Sequence, residues 1–175
     1  KMFTHRPDCF GNLGVSREIA GIFGLKFQSP DWYLNSPDFV EVNNSIPFSV
    51  SNNIPNLVPR FTAVVMDSIK VEPSLISMQA SLRRIGIKPI NNIVHITNFI
   101  SHETGQPLHA FDTAKITGNN IIVKKLKEGA LFTTLDEKER KLSANDLMIC
   151  NAEKPMCIAG VFGGLESGVT PLTKN

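Results

Sequence analysis

The sequence predicts an α+β fold, a mostly antiparallel β core with helices packed on it. Three observations predict it. Apolar residues recur at helical spacing in three segments of the first two thirds, and short apolar runs separated by turn residues fill the last third. Because the two kinds of element are segregated along the chain, a doubly wound parallel sheet is disfavoured. No internal repeat is visible.

Residues 13 to 23 form the first helix, with Asn12 placed to cap it and Gly24 to end it. Ile19, Ile22 and Phe23 mark its inner side, and Arg17 and Glu18 its solvated one. From Ser29 to Pro59 the chain is rich in Pro, Asn and Ser, so turns and short irregular strands are expected. Between Arg60 and Val71, Phe61, Ala63 and Val65 alternate before Ile69 and Val71, which predicts a central strand buried on both faces. Ser74 is placed to cap a second helix with Leu75, Met78, Leu82 and Ile85 on one face, Arg83 and Arg84 on the other, and Gly86 at its end. Ile93, Ile96, Thr97 and Ile100 then repeat at i, i+3, i+4 and i+7. That third helix should stop at Gly105, and Gln106-Pro107 should send the chain out extended, delivering His109 back beside it. Strands follow at 121–126, 131–135, 147–150 and 156–161, joined by hairpin connections.

Size and composition bound what such a fold can do. With 175 residues, 42% of them hydrophobic, the chain can build one domain or two intimately packed lobes around a sizeable core. A net charge of +2, from 18 basic and 16 acidic side chains, is far from the footprint of a protein that grips long nucleic acid. RNA, if bound, is contacted over a short end. Cys9, Cys150 and Cys157 form no CxxC and read as small buried residues. No apolar run approaches the ~20 residues of a membrane span, and the first residues lack a signal peptide's apolar core. A cytoplasmic protein is expected, and a chain running from Lys1 to Asn175 reads as a piece of a longer one.

The densest chemistry lies between Pro89 and Asp112, where amides, hydroxyls and imidazoles crowd an otherwise apolar segment. His109 sits on a turn after Gln-Pro, and an imidazole that donates or accepts near neutral pH suits positioning a water or a substrate group. A hydrogen-bonded structural histidine is the plainer reading. Thr97 and Asn98 point about 100° apart on a helix, so both face one cavity only at its flank. Asn98 tying a loop to the helix, and Thr97 simply packing, are the plainer alternatives. Gly160, Gly163 and Gly164 surround Val161-Phe162 after a strand and allow close approach of backbone to a ligand, or form a tight turn. His95 and His102 lie seven apart, ~10.5 Å along a helix. That is too far to share a zinc ion, and a solvated or loop-contacting face is expected instead. Nothing near the cysteines suggests an activated thiolate.

Three blocks carry a resemblance to a known family. Residues 89–112 resemble the INNVVDVTNYV and GQPxHAFD signature of the phenylalanyl-tRNA synthetase beta subunit, within its B3/B4 editing domain. Arg6-Pro-Asp-Cys9 with Leu13 to Ala20 resembles that family's RPDC and LGxAREIA entry. Ala159 to Gly164 with Ser167 resembles its AGVMGGxxS exit. The resemblance implies that 1–175 is a single B3/B4-type editing domain, cut before its last strand. It implies hydrolysis of the ester of tyrosyl-tRNA(Phe) by a positioned water, with Thr97, Asn98 and His109 as catalytic residues and Ala159, Gly160, Gly163 and Lys88 as substrate-binding ones. The domain itself would need no cofactor. ATP and magnesium would serve the full synthetase, an assembly of two alpha and two beta subunits that binds the 3′ end of tRNA(Phe) and touches no membrane. A non-catalytic module of the same subunit, bracing it or docking RNA with a decayed pocket, is the alternative.

Departures from the family pattern bear on the site. Lys88 stands where the family usually has the arginine of Gly-Ile-Arg-Pro, keeping the charge but losing the forked donor. His95 stands where the aspartate of VDVTN is usual. The family's pocket glutamate belongs to an LExAxF strand beyond Asn175, and Glu166, in a glycine turn, is not its equivalent.

Overall fold

The computed structural model describes residues 4–35 and 46–175, so part of the Ser29–Pro59 region lies outside the described residues. The chain divides into two compact units, one of residues 1–45 and 74–108, the other of residues 46–73 and 109–175. Helices dominate the first and strands the second, so the α+β class holds. No helix among the described residues is long and apolar enough to cross a membrane.

The helical unit contains α1 (Asn12–Ile22), a single turn α2 (Asp31–Leu34), α3 (Ile76–Arg84) and α4 (Asn92–Thr104). Glycine ends the three longer helices. Gly24 and Gly86 take φ of +64° and +84°, and beyond them Leu25 N–H donates to Ala20 O at 2.8 Å and Ile87 N–H to Leu82 O at 3.0 Å. These pairings satisfy carbonyls that a helix end otherwise leaves open. The start signals behave differently. Asn12 is the first helical residue rather than the cap, which is Gly11, and its amide reaches across to Glu103 Oε2 at 2.9 Å. Ser74 does not cap α3 either, because its hydroxyl is engaged by His95.

The buried side of α1 also differs from expectation. Gly14 and Ala20 are buried, while Ile22 and Phe23 are 71% and 72% exposed and Ile19 is exposed as well. Close approach of backbone explains the difference. A Cβ on Gly14 would lie 2.3 Å from the carbonyl carbon of Asp8, and one on Gly11 would lie 2.6 Å from that of Thr104, at the end of α4. The small residues, not the large ones, therefore face inward. In α3, Leu82 is buried as expected, whereas Leu75 and Ile85 are exposed.

The second unit is a five-stranded sheet in the order β1-β2-β5-β6-β7, formed by Ser49–Asn52, Asn120–Lys125, Leu147–Cys150, Pro155–Ile158 and Phe162–Gly163. β1 runs parallel to β2, and the remaining pairs are antiparallel. A hairpin of β3 (Leu131–Thr133) and β4 (Glu139–Lys141) joins this sheet through an isolated bridge between Thr134 and Gly164. Val123, Ile149, Cys157 and Gly163 are successive partners in one row and so share a face. Ile121, Ile149 and Cys157 belong to one apolar cluster with Ile116 and Met156, onto which Phe48, Phe61, Phe111 and Ala159 pack. Phe132, Leu142, Met148 and Cys150 form a second. Asn151, fully buried, donates to Lys115 O and accepts from the Glu153 and Lys154 amides, closing the β5–β6 turn.

The strand expected over Arg60–Val71 does not form. The segment joins no sheet and leaves Val64 and Met66 71% and 63% exposed. Phe61, Val65, Ile69 and Val71 are its half-buried residues, and Ile69 N–H donates to Lys174 O at 2.9 Å. Alternation of apolar residues specifies extension, but a strand also needs a partner edge, and the place beside β2 is taken by β1.

Two alanine substitutions in α1 separate close packing from helix propensity. Gly14→Ala is expected to lower the denaturation midpoint by the equivalent of about 3 kcal/mol. Gly21→Ala, where nothing lies within 4 Å of the added methyl group, should raise it by about 0.5–1 kcal/mol. Similar midpoints for the two variants would refute the close contact at Gly14.

Candidate functional site

α4 carries the first group of candidate residues. Asn91 caps it, its Oδ1 accepting from Val94 N–H at 3.0 Å, and Gly105, with φ of +75°, ends it. Thr97 Oγ1 donates to Val94 O at 2.9 Å, so its hydroxyl hydrogen is turned back to its own helix. Asn98 follows it, half-buried. Beyond α4, Leu108 N–H donates to Ser101 Oγ at 3.2 Å and Gln106 N–H to Thr104 Oγ1 at 3.2 Å. Lys88 is exposed on the loop between α3 and α4. His95, expected on a solvated or loop-contacting face, is only 1% exposed and contacts that loop.

In the sheet unit His109 lies against β7. A Cβ on Gly163 would sit 2.9 Å from His109 Nε2, closer still to Cε1, and 2.9 Å from Leu135 Cδ1. Only a residue without a side chain leaves room for the ring there. Phe111 supports the imidazole at 4.5 Å between ring centroids, tilted by 55°. The chain just beyond is clamped: Asp112 N–H donates to Ser167 O at 3.2 Å, and the Asp112 carboxylate accepts from Thr173 Oγ1 at 2.6 Å and Ala114 N–H at 3.0 Å. His109 keeps an exposed surface, yet the protein packed around its ring disfavours the cation and holds its pKa below the ordinary 6.5. It is therefore neutral at physiological pH.

Ala159 and Gly160 form the turn between β6 and β7, closed by Val161 N–H donating to Ile158 O at 3.0 Å, with Gly160 at φ of +69°. A positive φ at the third turn position calls for glycine. The Ala159 N–H donates to Leu147 O at 2.8 Å and is thus committed to the sheet. Gly164 faces away from Gly163, and a Cβ on it would meet Met156 O and Phe132 Cζ. Thus His109 and Gly163 meet within the sheet unit, with Ala159 and Gly160 on the adjoining turn, whereas Thr97, Asn98 and Lys88 belong to the helical unit.

Sequence reasoning missed two features of the sheet unit. Phe111 and Leu135 flank the His109 ring with Gly163. Phe111 was legible in principle, since residues two apart on an extended chain share a side. A cleft of about 460 Å³ is also present, lined among others by Lys115, Thr133, Met156, Gly164, Glu166 and Ser167. Of the candidate glycines Gly164 alone lines it, and His109, Thr97, Asn98, Lys88, Ala159, Gly160 and Gly163 do not. Its rim carries the Lys154–Glu166 ion pair, which lowers the Glu166 pKa. Burial raises the Cys150 thiol and pushes that of Cys157 up to about 11, so both stay protonated at neutral pH.

The model of the B3/4 domain matches residues 57–175. The chain belongs to the B3/4 domain family. Over 172 residues it is 46% identical to the phenylalanine–tRNA ligase beta subunit of Bacteroides thetaiotaomicron, a match covering 97% of this chain and 21% of that protein. The beta subunit of Symbiobacterium thermophilum is 44% identical over 97% of the chain and 19% of its own length, and that of Syntrophus aciditrophicus is 42% identical over 98% and 21%. The chain thus spans about a fifth of the length of the curated relatives it matches. In this B3/4 domain the matched region includes α4, His109 and the β6–β7 turn.

Gly163→Ala should displace the imidazole, because the new methyl group would occupy its place. The expected result is a change in the His109 ring proton shifts, as Phe111 no longer shields them, with a stability loss of about 1–3 kcal/mol. Unchanged shifts would contradict the ring-on-glycine contact.

Proposed function

We propose that this B3/4 domain edits mischarged tRNA, hydrolysing the ester that joins tyrosine to the terminal ribose of tRNA(Phe). The observation that carries the reading is His109 seated on Gly163 beside a glycine turn, where the packed protein disfavours its cation. The similarity to phenylalanine–tRNA ligase beta subunits supports it. An unprotonated imidazole nitrogen accepts a hydrogen bond from water and orients its oxygen toward the ester carbonyl. The new carbon–oxygen bond forms as the bond to the ribose oxygen breaks, and that oxygen leaves with a proton. Such esters are already labile, so positioning supplies most of the rate that is needed. Protonated cysteines contribute no nucleophile.

In this reading Thr97 and Asn98 help to arrange the substrate, and Ala159, Gly160 and Gly163 shape a wall that suits a planar ring. Tyrosine differs from phenylalanine by one hydroxyl, and polar groups that need that hydroxyl are left unpaired by phenylalanine. Lys88 contacts the RNA end as a point charge. ATP and magnesium serve amino-acid activation by the alpha subunit and take no part in this hydrolysis.

The test is deacylation of tyrosine-charged and phenylalanine-charged tRNA(Phe) by the full-length protein. Tyrosine should be released faster by roughly a hundredfold or more. His109→Ala should lower that rate by about a hundredfold. Because burial depresses the His109 pKa, the rate should be lost only as pH falls below the ordinary histidine value. Stability should follow the same direction, since the unfolded chain takes up the proton first. Equal slow release of both amino acids, unaffected by the substitution, would instead favour a bracing or RNA-docking role.

A further inference from the structure

Few histidines in a domain are sealed from solvent, and His95 is one: it is 1% exposed, and both ring nitrogens are engaged. Nε2 accepts the Ile90 backbone N–H at 2.8 Å. An amide can only donate, so Nε2 bears its lone pair, and in a neutral ring the proton must sit on Nδ1. Nδ1–H is then the donor to Ser74 Oγ, which is its partner there. The same serine's carbonyl accepts from Gln79 Nε2 at 2.7 Å, anchoring it to α3. His95 itself is fixed in the first turn of α4, its N–H donating to Asn91 O at 2.9 Å. One side chain thereby ties together the residue preceding α3, the loop Gly86–Ile90 and the start of α4.

We infer that His95 is a positioning residue, a buried imidazole that latches the loop carrying Lys88 to α4. The chemistry is forced by the partners. A side chain with no acceptor in that place leaves the Ile90 N–H without its partner, so the loop is held only where Nε2 accepts it. The groups hydrogen-bonded to the ring are the Ser74 hydroxyl and the Ile90 amide. Arg83 and Arg84 are exposed in the last turn of α3, and Lys88 is exposed on the loop. His102 is exposed near the end of α4, where Glu103 is held by Asn12. Asp8 and Glu18 pair with Arg6, and Arg17 lies over the Phe27 ring.

The functional part of this inference rests on the editing proposal, in which Lys88 touches the RNA end; the latch itself does not. Hydrogen–deuterium exchange by mass spectrometry on the full-length protein reads the latch without tRNA. Protection of the peptide spanning residues 86–92 should be about tenfold lower in His95→Leu than in the wild type. His95→Gln offers a carbonyl at the position of Nε2 and should keep the protection. Pair this with deacylation kinetics: His95→Leu should raise the KM for tyrosyl-tRNA(Phe) severalfold with kcat little changed, and His95→Gln should not. Equal protection in the wild type and His95→Leu overturns the latch. A loss of protection with KM unaffected overturns its link to tRNA, and absence of any deacylation refutes the editing reading alone.

Discussion

Direct contact of backbone with backbone, and of a ring with backbone, organises this molecule, and it is possible only where side chains are missing. Gly11 lets the start of α1 touch the end of α4, and Gly14 lets the same helix rest on the turn at Asp8. In the other unit Gly163 accepts the His109 imidazole, and Gly164 accepts Phe132 from the opposite side. Each contact removes the layer of side chains that normally separates elements. Positions are then set by main-chain geometry, which tolerates less slack than packed aliphatics do. Both α4 and β7, the elements that present the candidate residues, are held in this way.

The second theme is the contrast between two histidines. His95 is sealed inside the helical unit with a defined partner at each nitrogen, and its tautomer follows from the fact that an amide cannot accept. His109 rests on β7 beside Phe111, with an exposed surface and its cation disfavoured by the packed protein. The first uses both of its nitrogens to hold structure. A histidine that works on water needs the second arrangement.

Much of the fold was legible from local pattern. Helix ends were marked by Gly24, Gly86 and Gly105, because a left-handed residue at a helix end is a local requirement that glycine alone meets without strain. Four strands after Asp112, β2, β3, β5 and β6, were legible because alternation and turn residues act over a few positions; Leu147–Cys150 has the expected limits, whereas the short β4 and β7 were not read. Helix starts were misread at Asn12 and Ser74, whose side chains serve distant partners, Glu103 and His95. Hydrogen-bond partners twenty or ninety residues away leave no trace in a local pattern. The segment from Arg60 to Val71 was misread for a related reason, since alternation reports an extended chain but not whether a strand edge is available to it.

The sequence by itself determined the class of fold, the end of α4 and the family, because these depend on short-range periodicity, glycine placement and ordered motifs. Tertiary structure decided that the inner side of α1 is Gly14 and Ala20 rather than its large apolar residues, that His95 is buried, and that Gly163 is the glycine meeting His109. Those outcomes depend on which surfaces meet. A methyl group's worth of space between two segments far apart in the chain is a property of their packing, and no run of neighbouring residues encodes it.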